Sequence, residues 1–129
     1  MHRLLLPIAC LLLALTAAAC GGSSAPAASG PPASSDPNAP TIVANGMKFE
    51  QASYEVPAGR AFTLTFDNRD GAPHNVAVAA DDSFGQKLFE GEIFAGPGSK
   101  AYSVPALAAG NYAFRCDVHP DMKGTLVAK

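Results

Sequence analysis

Between residues 60 and 67 the chain alternates without a break, with Phe62, Leu64 and Phe66 on one side and Thr63, Thr65 and Asp67 on the other. A period of two in β-branched and aromatic residues predicts a strand with one buried face. The same pattern, weaker but repeated, predicts extended segments over 41–44, 47–49, 53–56, 74–79, 88–92, 100–104, 111–116 and 124–128. Asn45-Gly46, Pro57-Ala58-Gly59 and Gly96-Pro97-Gly98 supply turns between them. No apolar run of helical period reaches a useful length, and there is no internal repeat. Seven or eight short strands at this spacing predict an all-β fold, a two-sheet antiparallel Greek-key β-sandwich. Gly110-Asn111-Tyr112, at a strand entry, predicts a tyrosine corner in which the phenol ties down a crossover loop.

The pattern fails at the N-terminal end, where composition takes over. A short basic start, an apolar run over 4–15 and the small residues Ala17-Ala18-Ala19-Cys20 have the layout of a signal peptide, expected over 1–19. A cysteine directly after the cut, followed by Gly21, resembles a bacterial lipoprotein site, which makes Cys20 the expected lipid-bearing residue. Cleavage after Ala19 by ordinary signal peptidase is the other reading. Residues 20–40 hold Gly, Ser, Ala, Pro, Asn and one Asp, with nothing to fill a core, so they are expected to form a solvated tether. The folded domain is expected over 41–129. The chain is then exported, extracytoplasmic and held at a membrane through Cys20.

Charge excludes more than it suggests. All eleven acidic residues but Asp36, and all nine basic residues but Arg3, fall within 41–129, so the domain is nearly balanced. No basic stripe points to nucleic acid, and no strong single-sign field implies long-range steering of a partner. A monomer is expected.

Once the leader and Cys20 are set aside, one thiol remains, Cys116, and two imidazoles, His74 and His119. A lone free cysteine in an exported protein builds no disulfide framework and asks for another role. Cys116, His119 and Met122 lie three residues apart on one short turn after a strand, and His74 opens another strand. In an antiparallel pair such ends meet. A thiolate, two imidazoles and a distant thioether form the donor set of a blue-copper electron-transfer site. Simpler roles exist for each residue. Cys116 could pack as a small hydrophobe, His74 could cap a carbonyl, and Met122 could serve packing alone. Asp117, Asp121, Arg115 and Lys123 around the loop are expected to form a solvated rim.

The run Cys116-Asp117-Val118-His119-Pro120-Asp121-Met122, the preceding Tyr112-x-Phe114-x-Cys116, and Pro73-His74-Asn75 together resemble cupredoxins of the plastocyanin/amicyanin group. The short Cys-x2-His-x2-Met loop is most similar to amicyanin. That resemblance implies one type 1 copper ion, with His74, Cys116 and His119 as equatorial ligands and Met122 as the weak axial one. It further implies that Asn75 braces the ligand loop. His119 becomes the exposed ligand, at the end where redox partner proteins dock, within an apolar patch of Met47, Ala72, Pro73, Pro97 and Pro120.

The function so indicated is that of a one-electron carrier cycling Cu(II)/Cu(I), and not of an enzyme. A binuclear copper centre needs two loop cysteines. A multicopper enzyme needs a histidine beside the cysteine, where this chain has Arg115 and Asp117. Two other functions compete with electron transfer. One is a copper carrier or scavenger with no redox role, against which stands the lack of Met-rich or His-rich tracts. The other is a metal-free interaction sandwich.

Overall fold

Phe62, Leu64 and Phe66 point into the core from the strand that contains them, as their alternation requires. A computed structural model describes residues 36–129. The signal segment expected over 1–19, Cys20 and the tether as far as residue 35 lie outside the described residues. Pro40, at the tether's end, is buried, and its carbonyl accepts a hydrogen bond from Thr65 N–H at 2.9 Å.

The strands are β1 (Thr41–Ala44), β2 (Ser53–Val56), β3 (Phe62–Asn68), β4 (Pro73–His74), β5 (Ala77–Ala79), β6 (Lys87–Glu90), β7 (Phe94–Ala95), β8 (Gly98–Val104), β9 (Gly110–Arg115) and β10 (Lys123–Ala128). One sheet has the order β1-β3-β8, the other β2-β10-β9-β5-β6, and β4 and β7 form a small ladder of their own. There is no helix among the described residues. The fold is an all-β sandwich, with Ile42, Leu64, Phe66, Val76, Val78, Phe114 and Leu126 among the residues closing its core.

Three features differ from the antiparallel pattern expected. The first two strands each run parallel to their neighbour, β1 beside β3 and β2 beside β10. A parallel pair needs a long connection. The chain provides one by crossing from one sheet to the other between β1 and β2. The strand expected over 74–79 is split: Pro73–His74 pairs with β7, while Ala77–Ala79 pairs with β9. The residues between them, Asn75 and Val76, are fully buried. The extended segment expected over 47–49 is mostly a turn. Gly46 and Met47 both adopt positive φ, 64° and 62°, and only Phe49 bridges back to Ala44. Left-handed backbone at a methionine costs roughly 1 kcal/mol or more, so something must hold it. The tyrosine corner is present, with Tyr112 Oη donating to Ala108 O at 2.8 Å.

Candidate metal centre

The site begins with the way β9 ends. In the β9–β10 ladder Arg115 faces Lys123, and one step further Cys116 N–H donates to Met122 O at 2.9 Å. Met122 N–H in turn donates to His119 O at 2.9 Å. The loop between the two strands is therefore a closed turn, not a free excursion. On the other side of β9, Arg115 faces Ala77. Continuing that antiparallel register places Asn75 across from Asp117, and the two are hydrogen-bonded. Asp117 N–H donates to Asn75 Oδ1 at 2.8 Å.

These two constraints bring His74 to the thiol. Cys116 Sγ lies 3.7 Å from His74 Nδ1 and 3.8 Å from His119 Nδ1, and the two Nδ1 atoms are 3.1 Å apart. The circle through three points at these separations has a radius of about 2.1 Å. That radius lies in the range of metal–nitrogen and metal–thiolate bonds, about 2.0–2.3 Å for zinc. One metal ion could thus contact all three donors in their common plane. Cys116 and His74 are fully buried, Met122 is nearly so, and His119 is partly exposed. A thiolate and two imidazoles with a methionine beside them suit copper, because soft sulfur donors favour Cu(I) and imidazole serves both oxidation states. The site is that of one type 1 copper ion.

The tautomer of His74 is set by a residue to which the sequence reading assigned no role. Its Nε2 lies 3.1 Å from Asp70 Oδ2, so the N–H there donates to the carboxylate and leaves the Nδ1 lone pair aimed at the thiol. Asp70 also accepts Gly46 N–H at 2.7 Å and Met47 N–H at 3.0 Å, which is what holds the strained turn. Burial works to raise the Asp70 pKa. The hydrogen bonds from Met47, Gly46 and His74 outweigh it and hold the group below the usual carboxylate value. Burial, joined by the nearby His119, pushes the His74 pKa down, and Asp70 only partly offsets it. A carboxylate four residues ahead of a metal-binding histidine was the available signal, and it was weak without knowledge of the turn between them.

Asn68 was missed as well. Fully buried, it donates through Nδ2 to Ala72 O at 3.0 Å and Phe94 O at 2.9 Å, and accepts Asp70 N–H at 3.0 Å. It thereby fixes the loop that carries Asp70 and β4.

Asn75 is hydrogen-bonded to the ligand loop through both ends of its side-chain amide. Its Nδ2 donates to Gly91 O at 3.1 Å and to Asp117 Oδ2 at 3.0 Å. Asp117 was expected on a solvated rim and is not there. Its side chain is 14 % exposed and pairs with Lys87 Nζ at 3.0 Å. Burial would raise its pKa, but Asn75, Lys87 and Arg115 hold it below the ordinary carboxylate value. Of the residues expected in the apolar patch, Met47 is 49 % exposed, Pro73, Pro97 and Pro120 are exposed, and Ala72 is half-buried. Val118, not expected there, adds to the exposed apolar surface of the loop.

Comparison with known proteins agrees with this geometry. The family described as "Cupredoxin-like domain" matches residues 7–128. Amicyanin of Paracoccus denitrificans is 32% identical over 126 residues, covering 92% of each chain. A reduced Cu(I) form of an amicyanin variant superposes with a TM-score of 0.54 at 30% identity, covering 69% of this chain and 80% of that one. Auracyanin A, a "blue" copper protein of Chloroflexus aurantiacus, superposes with a TM-score of 0.62 over 70% of this chain and 98% of its own. At 21% identity that last likeness concerns the fold alone.

Proposed function

Because this chain belongs to the cupredoxin-like family, we propose that it is a one-electron carrier working outside the cytoplasm, with His74, Cys116, His119 and Met122 as the copper ligands. Copper bound there supplies a one-electron couple between Cu(II) and Cu(I). Everything else is the work of the protein. His74 keeps its orientation because Asp70 holds the far side of its ring. The loop carrying the other three donors is closed by its own backbone hydrogen bonds and clasped by Asn75. Donors held from both sides cannot rearrange much when the charge at the centre changes, and small rearrangement is what fast electron transfer requires. His119, the partly exposed member of the set, lies at the end where a redox partner is expected to dock. The exposed Met47, Pro73 and Pro120 would offer that partner an apolar surface. With three of its four donors buried, the centre suits a carrier better than an enzyme.

The observation that carries this reading is the triangle of Cys116 Sγ, His74 Nδ1 and His119 Nδ1 around one point at metal-bond distance. Visible absorption of the copper-loaded protein tests it. An intense thiolate-to-copper charge-transfer band should appear and should be lost in Cys116→Ser. A colourless copper complex would refute the assignment. Export and anchoring through a lipid on Cys20, with 20–40 as tether, belong to the same proposal. Mass spectrometry of the exported protein's N-terminus should find an acylated Cys20, and an unmodified N-terminus would remove the anchor.

A further inference from the structure

Asp117 directly follows the thiol residue, yet its carboxylate turns back into the protein and joins β6 and β9 to the segment before β5. Oδ2 accepts from Asn75, which precedes β5. Oδ1 meets Lys87 Nζ of β6 at 3.0 Å and lies 3.6 Å from Arg115 Nε of β9. Arg115 is held on its other side, with its guanidinium 3.9 Å from the centre of the Phe84 ring. Phe84 itself sits at φ 53°, a left-handed conformation that a bulky side chain adopts only when its surroundings impose it. A carboxylate free in solvent would average over many orientations and act weakly through water. This one is fixed beside the metal loop, with the Lys87 ammonium, which also meets Glu90 Oε2 at 3.0 Å, as its closest counter-charge and the Arg115 guanidinium further off.

We propose that Asp117 is a positioning residue of the metal centre and Lys87 its counter-charge. Together they lock the ligand loop to the β6 edge of the sheet and set the electrostatic field at the Cys116 sulfur. The proposal rests on the copper reading above. A fixed negative charge near the centre favours the more highly charged Cu(II), and a positive one favours Cu(I). Removing the two charges must therefore move the reduction potential in opposite directions. Loosening of the loop, by contrast, would move both variants the same way.

The test is the midpoint potential of copper-loaded wild type, Asp117→Asn and Lys87→Gln, with the visible spectrum recorded on each. Asp117→Asn should raise the potential and Lys87→Gln should lower it. Each shift should be equivalent to roughly a three- to tenfold change in the oxidised-to-reduced ratio at fixed ambient potential. Unmoved potentials, or shifts of one sign, would overturn the proposal. If Asp117→Asn does not fold, Lys87→Gln on the exposed edge strand decides alone, and an unchanged or raised potential overturns it. A wild type without the charge-transfer band sinks the copper reading, whereas a blue protein with an immobile potential sinks only this inference. Without copper, amide exchange of 117–122 should be faster in Asp117→Ala than in wild type, and equal rates would remove the positioning role.

Discussion

Single residues at the centre give the stability a pH dependence of definite sign. His74 is buried with its pKa pushed down, first by burial and then by His119. The unfolded chain therefore binds a proton on this ring more readily than the folded one, and acid favours unfolding. In copper-free protein, stability should be insensitive to His74 above the ordinary histidine value of about 6.5 and should fall as the pH drops below it. Denaturant midpoints measured from pH 7.5 to 5 should show this decline, flattened in His74→Gln. Asp70 and Asp117 act lower on the scale. Their pKa values are held below the ordinary one, so their stabilisation is present above about pH 4 and is lost as pH falls through the folded-state values. Gly124 makes a different point. It faces Phe114 across the ladder, and a Cβ there would come within 2.4 Å of the Phe114 ring and 2.6 Å of Ala52 O. The backbone oxygen cannot move aside cheaply. Gly124→Ala should cost about 1–3 kcal/mol, read from urea denaturation of the copper-free protein.

Among the elements, the loop from β3 to β4 depends on one side chain. Asn68 satisfies two carbonyls and one amide from a fully buried position. Asn68→Ala leaves those groups without partners and should cost on the order of 2–4 kcal/mol. By releasing the loop that carries Asp70, it should also weaken copper retention against a chelator. The tyrosine corner gives a contrasting case. Tyr112→Phe removes one hydrogen bond to Ala108 O near the surface, where water can replace it. The expected loss is about 0.5–1.5 kcal/mol with the visible spectrum unchanged. The corner was legible in Gly110-Asn111-Tyr112, and β3 in its alternation, because both depend on neighbours a few residues apart. The division of 74–79 into β4 and β5 was not. His74 and Ala77 pair with different strands, and nothing within those six residues says which strand lies beside each.

For the whole molecule, metal binding and folding are coupled, because donors from β4 and from the β9–β10 loop meet only in the folded state. Copper should therefore stabilise the fold by an amount set by its free concentration over Kd, about 4 kcal/mol at a thousandfold excess, and raise the thermal midpoint accordingly. Calorimetry with and without the metal checks this, and Cys116→Ser should abolish most of the gain. The sequence alone determined the donor types, their three-residue spacing in one turn, and the two-residue period of the strands. Each is a property of covalent neighbours and of local backbone geometry. Tertiary structure decided which groups stand behind the donors: Asp70 holding Gly46 from 24 positions away, and Asn75 reaching Asp117 across 42. It also decided that Asp117 faces Lys87 and not the solvent, and that β1 and β2 join their sheets in parallel. Those contacts follow from how the two sheets close on one another, and a sequence pattern carries no record of distance through space.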